Sequence, residues 1–98
     1  MTINKTLDGK TLILFPEGRL DTMTAPELEA ELKASMPDAE TLIMDFSKLE
    51  YISSAGLRVL LSAHKAMSSK NGMKITNVNE IVQEVFEVTG FTDVLTIE

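Results

Sequence analysis

From residue 11 to the end of the chain, apolar runs of strand length alternate with stretches of helical period, and that order restricts the fold more than any other feature of the sequence. Parallel strands need long crossovers and amphipathic helices supply them, so the pattern predicts an α/β domain with a largely parallel sheet. The start of the chain differs. Residues 2–7 and 11–16 flank Asp8-Gly9, a dipeptide that tolerates positive φ, and so predict an antiparallel β-hairpin that makes the sheet mixed. Leu12 to Phe15 is continuously apolar, which predicts a strand covered on both faces and ended by Pro16 and Gly18.

Thr24 followed by Glu27 is a capping-box pattern, and Pro26 falls in the first turn, where its missing N–H costs little. The helix predicted there runs to about Ser35 with Ala25, Leu28, Leu32 and Met36 in one stripe. Residues 41–46 read as the central buried strand, and Asp45 near its end reads as a rim carboxylate bonded to loop backbone. A second helix starts at Ser53 or Ser54 and carries Leu57, Leu60, Leu61 and Met67 on one face, to about Ser69. Lys70-Asn71-Gly72 supplies a cation and a glycine stop. After a short strand over 73–76, Asn77 or Asn79 caps a third helix in which Ile81, Val85 and Val88 face one way; Gly90 ends it, and 94–97 is a weaker final strand. The predicted order is β, β, α, β, α, β, α, β. Its expected core is Leu12, Leu14, Leu28, Leu32, Ile43, Met44, Leu57, Leu60, Leu61 and Val85.

Composition excludes several classes of function. The chain has 98 residues, which suits one domain spanning 1–98, and 44% of them are hydrophobic, an ordinary share for a globular core. A net charge of -6 opposes nonspecific binding to nucleic acid or to an anionic membrane, so a protein partner or a small ligand is expected instead. The absence of cysteine rules out disulfides and thiolate metal sites, and no bound cofactor is expected. Neither a secretory leader nor an apolar run of membrane-spanning length is present, so the expected location is cytoplasmic, without membrane insertion.

Sites in such folds cluster where strands hand over to helices. Two corners here carry chemistry: Leu20 to Thr24 and Ile52 to Gly56. A helix start has unpaired backbone N–H groups and partial positive charge, so a phosphate added to Ser53 or Ser54 would be electrostatically welcome. Small residues at Ala55 and Gly56 keep the surface around the hydroxyls low. A hydrolase triad fails on geometry, because His64, the only histidine, lies ten residues along the same predicted helix, roughly 15 Å from Ser54. There is no P-loop, nucleophile elbow or His/Cys metal cluster either, and a binding protein rather than an enzyme is expected.

Tyr-Ile-Ser-Ser-Ala-Gly-Leu-Arg-Val-Leu-Leu at 51–61, with Leu-Ile-Met-Asp-Phe-Ser-Lys-Leu before it, resembles the signature of the STAS domain, in particular of stand-alone bacterial anti-sigma-factor antagonists. Gly-Arg-Leu-Asp-Thr-Met-Thr-Ala at 18–25 is similar to the family's first motif, and the segment from Val78 to Phe91 to its tail. The resemblance implies that Ser54 is phosphorylated by a partner that is both anti-sigma factor and serine kinase, of histidine-kinase-like ATPase fold, and that a serine phosphatase resets it. It places Asp21 beside that serine, and a partner-binding surface over Asp21, Thr22, Thr24, Ser53, Ser54, Gly56 and Arg58. The sequence departs from the family where many members carry an aspartate, at Ser53, and where they carry a second hydroxyl, at Ala55. Ser53 is thus the second choice for the modified residue. Two alternatives, both without phosphorylation, stand beside this reading: a STAS subunit of a transporter or sensory complex, and a small-ligand or nucleotide-sensing module using the notch between Asp21 and Ser54, with Asp21 itself opposing nucleotide affinity.

Overall fold

A computed structural model describes residues 1–98. The elements are β1 (Thr2–Asp8), β2 (Thr11–Leu20), α1 (Ala25–Ser35), β3 (Thr41–Asp45), β4 (Leu49–Ile52), α2 (Ser54–Met67), β5 (Met73–Thr76), α3 (Glu80–Thr89) and β6 (Thr96–Ile97). The hairpin forms as predicted, although its loop is Gly9-Lys10, since Asp8 pairs with Thr11, and Gly9 alone takes positive φ, 63°. β2 does not stop at Pro16. That proline falls between the parallel ladder to β3, whose last pair is Leu14–Met44, and the ladder to β4, whose first pair is Gly18–Leu49. β2 therefore carries β3 on its first half and β4 on its second, with a register shift at Gly18 and Arg19.

The strand order is β1-β2-β3-β5-β6, with β4 beside β2, and every pairing after the hairpin is parallel. The path β2, β3, β5, β6 crosses the sheet in one direction only. Because such crossovers are right-handed, a path without a reversal puts all three helices on one face. Burial along the strands agrees: Leu12, Leu14, Leu42, Met44, Met73 and Ile75 are buried in one cluster with the helices' inner residues, whereas Ile13, Phe15 and Ile43 are half-buried. The expectation that β2 is covered on both faces is thus corrected, and Ile43 leaves the core with it.

Two further core assignments change. Leu61 is half-buried on the flank of α2, whose inner face carries Leu57, Leu60, Ala63 and Met67. α3 has two apolar stripes, and it buries Val82 and Phe86 while Ile81 and Val88 stay 58% and 77% exposed and Val85 half-buried. The choice follows from area, since turning Phe86 inward removes more apolar surface than any valine can. Asn79 is the cap of α3, its Oδ1 accepting from Val82 N–H at 2.8 Å, and Gly90 closes that helix at φ 78°. Asp45 behaves as expected of a rim carboxylate, accepting from Ser47 N–H at 2.9 Å and from the Asn77 amide at 3.1 Å.

Candidate partner-binding site

β2 and β4 run parallel with Leu20 opposite Ile52, and the Ser53 N–H donates to the Leu20 carbonyl at 2.8 Å. The residues that follow each strand therefore leave the sheet side by side. This pairing is what joins the two corners, and the predicted order, which has no strand between residues 46 and 53, does not contain it. Their meeting forms a notch of about 260 Å³ between the starts of α1 and α2, lined by Thr22, Ala25, Pro26, Glu29, Ala55, Arg58 and Val59. A larger cavity, about 540 Å³, lies along α3 and β6 and shares no residue with this site.

The first corner is a braced turn. Asp21 Oδ1 accepts from Met23 N–H at 3.0 Å and from Thr24 N–H at 3.1 Å, while Asp21 N–H donates to Thr24 Oγ1 at 2.8 Å. The Thr24 hydroxyl in turn donates to the Arg19 carbonyl at 2.7 Å. Thr24 has no capping bond to α1, so the capping box with Glu27 does not form, its hydroxyl being committed to the turn instead. Arg19 lies over the Tyr51 ring at 4.5 Å, tying the β2 end to β4 once more.

Asp21 thus has a structural task in the turn. The Thr24 N–H bond is the chief reason that its carboxyl titrates below the usual aspartate range, against desolvation, with Met23 N–H, the Thr24 hydroxyl and the Arg19 charge adding to the lowering. Bonds to the charged form stabilise the fold fully above the ordinary aspartate range, and they are lost as pH falls through the lowered pKa. Asp21→Ala should therefore melt below wild type at neutral pH, and the gap should close in acid. A gap in melting temperature that stays constant across that range would show that the carboxylate charge does not hold the turn.

The second corner presents Ser54 as the first residue of α2, exposed, with Ser53 at the N-cap position. Ser53 does not cap: its Oγ is buried and bonds nothing. Backbone bonding in the helix begins with Leu57 N–H to the Ser53 carbonyl, so the first-turn N–H groups of α2 have no side-chain acceptor. Of the two serines only Ser54 offers its hydroxyl side to solvent. Arg58, one turn on, is exposed and makes no ion pair.

Gly56 is buried, not part of the exposed surface. A Cβ there would lie 2.7 Å from Leu20 Cγ and 2.8 Å from Ile52 Cγ1, so its lack of a side chain lets the first turn of α2 sit directly on the ends of β2 and β4. It positions Ser54 from beneath. Of the predicted surface residues, Thr22 and Arg58 both line the notch, Asp21 and Thr24 belong to the turn that follows β2, and Ser53 and Ser54 follow β4. Pro26, Glu29, Ala55 and Val59 line the same notch, and only the packing of α1 beside α2 discloses them. His64 lies on α2 with Ser54, on the same helix and ten residues further on, so no triad forms.

The profile of the STAS domain matches residues 2–98. BtrV of Bordetella bronchiseptica, a provisionally assigned anti-sigma factor antagonist, is 38% identical over 96 residues, which is 96% of this chain and 81% of that protein. The solved structure of an anti-sigma factor antagonist from Mycobacterium paratuberculosis superposes with a TM-score of 0.89 at 22% identity, covering 98% of this chain and 83% of that one. The Bacillus cell fate determinant SpoIIAA in its phosphorylated form superposes with a TM-score of 0.75 at 17% identity, over 99% of this chain and 91% of that one. At these identities the two structures speak for the fold. No helix is long and apolar enough to cross a membrane.

Proposed function

Because the chain belongs to the STAS domain family, with relatives named as anti-sigma factor antagonists, we propose that it binds an anti-sigma factor through the notch and its two corners, and that phosphorylation of Ser54 ends the binding. The partner is a serine kinase of histidine-kinase-like ATPase fold, a serine phosphatase restores the unmodified form, and the exchange takes place in the cytoplasm. The observation that carries the reading is Ser54 itself: an exposed residue at the start of a helix whose N–H groups no side chain caps, next in the chain to Ala55, which lines the notch. A phosphate there gains backbone donors and the favourable end of the helix dipole without disturbing the core. That SpoIIAA exists in a phosphorylated form on the same fold supports the switch.

The chain's part is to bind and to be modified, and it needs no catalytic group of its own. Ser53 is set aside as the acceptor because its Oγ is buried. Incubation with the ATPase-fold protein that the wild type captures from the source cell, plus ATP, followed by intact-mass measurement, tests this. One phosphate should appear on the wild type and on Ser53→Ala, and none on Ser54→Ala. Phosphate on Ser54→Ala but not on Ser53→Ala would move the site, and none on the wild type would remove the kinase relation.

A further inference from the structure

Met23 is the most exposed large apolar side chain of the protein, at 83%, and it stands on the turn that builds the site. A single exposed apolar residue is ordinary. This one differs in how its backbone is held. The Met23 N–H is bound by Asp21 Oδ1, the next residue is bound to the same oxygen and to the Arg19 carbonyl, and the residue before it lines the notch. The turn is closed by bonds that leave the methionine side chain out of the fold. A side chain offered on a pre-ordered backbone loses little entropy on binding, and methionine adapts its shape to an apolar pocket and is enriched in protein interfaces.

We propose that Met23 is the apolar anchor by which the anti-sigma-factor partner grips this protein, a reading that rests on the proposed function and extends it. The partner then carries a hydrophobic pocket beside the loop that meets Ser54. Continuity with the notch fixes where that pocket lies, since Thr22 on the notch wall is the neighbour of Met23 in the chain. Binding is thereby divided between two separate parts. Met23 supplies apolar burial that is insensitive to salt, and Ser54 supplies the charge-dependent switch.

The test is calorimetric titration of the captured ATPase-fold protein into wild type, Met23→Ala, Met23→Gln and Met23→Leu. Burying a methionine side chain is on the order of a tenfold to hundredfold effect on affinity, so Met23→Ala should weaken binding by about tenfold or more. Met23→Gln, of similar length with a polar end, should weaken it comparably, Met23→Leu should stay within about threefold of wild type, and these ratios should hold as salt is raised. Melting temperatures should match, since the side chain supports nothing. Wild-type affinity in Met23→Ala, equal losses in Met23→Leu and Met23→Ala, or a loss that tracks a fall in melting temperature would each overturn the anchor. Equal binding by wild type and Ser54→Asp would sink the switch while leaving the Met23 comparison intact, and a wild type that binds no such protein would overturn both.

Discussion

Ser54→Asp folds with a melting temperature equal to or a few degrees above that of wild type and binds its anti-sigma-factor partner at least about tenfold more weakly. The fold survives because Ser54 is exposed at the start of α2, where a negative charge is favourable, by about 0.3–1 kcal/mol at a solvent-facing helix end. The binding does not survive, because the same charge meets the partner on a chain that already carries a net -6. A phosphate goes further, adding about -1.5 to -2 charge and three acceptor oxygens. A like-charge and desolvation penalty of a few kcal/mol at an interface corresponds to about tenfold in affinity for each 1.4 kcal/mol. Arg58, exposed and without an ion pair, is one turn along the helix, so its guanidinium is free to take a phosphate oxygen, as residues four apart on a helix can. Ser54→Ala should bind as wild type does and be impossible to switch off with kinase and ATP. Affinities from calorimetry and melting curves on the same preparations check both statements, and an Asp variant that binds normally would refute the first.

Phe86→Ala should destabilise the protein by about 3–5 kcal/mol, which for a domain of this size is a large part of the total stability. Phe86 is fully buried on the inner face of α3, in the same cluster as Val82 and Leu95, and truncation leaves a cavity that the short helix fills only in part. Val85→Ala, on the flank of the same helix, should cost less than about 1 kcal/mol. The contrast distinguishes the two stripes of α3 directly. Urea denaturation curves in which Val85→Ala costs as much as Phe86→Ala would mean that the helix packs on its other face.

The parts of this fold that were legible in the sequence depend on a few neighbouring residues. The hairpin follows from Asp8-Gly9, the limits of α1 from Pro26 and the polar run before it, and the limits of α3 from Asn79 and Gly90, each a matter of φ, of a missing donor or of a side-chain cap within one turn. The Ser53-Ser54 corner could be picked out on the same local grounds, as hydroxyls at a helix start followed by small residues, and the family resemblance chose Ser54 between them. The misreadings share another cause. β4 has only four residues and no clean alternation, and its partner is the far half of β2, beyond a proline that looked like a terminus. The capping box follows from residue types at the right spacing, yet the Thr24 hydroxyl oxygen accepts from Asp21 N–H instead of from the helix, while its hydrogen goes to the Arg19 carbonyl.

Local chemistry along the chain specifies the kinds and order of the elements other than β4, and a hydroxyl pair at the start of α2, because propensity, capping and period act over a few residues and are written in them. Which faces are buried and which strand ends meet depends on contacts made across the whole fold. Strands added in one direction around the sheet leave one face without helices, which is why Ile13 and Ile43 are half-buried although their composition suits a core. The pairing of β2 with β4 brings the ends of the two strands, Leu20 and Ile52, side by side, and Gly56 seats the first turn of α2 closely on both. Contacts between residues so distant in the chain are selected by the packing of the whole sheet, which no local pattern encodes.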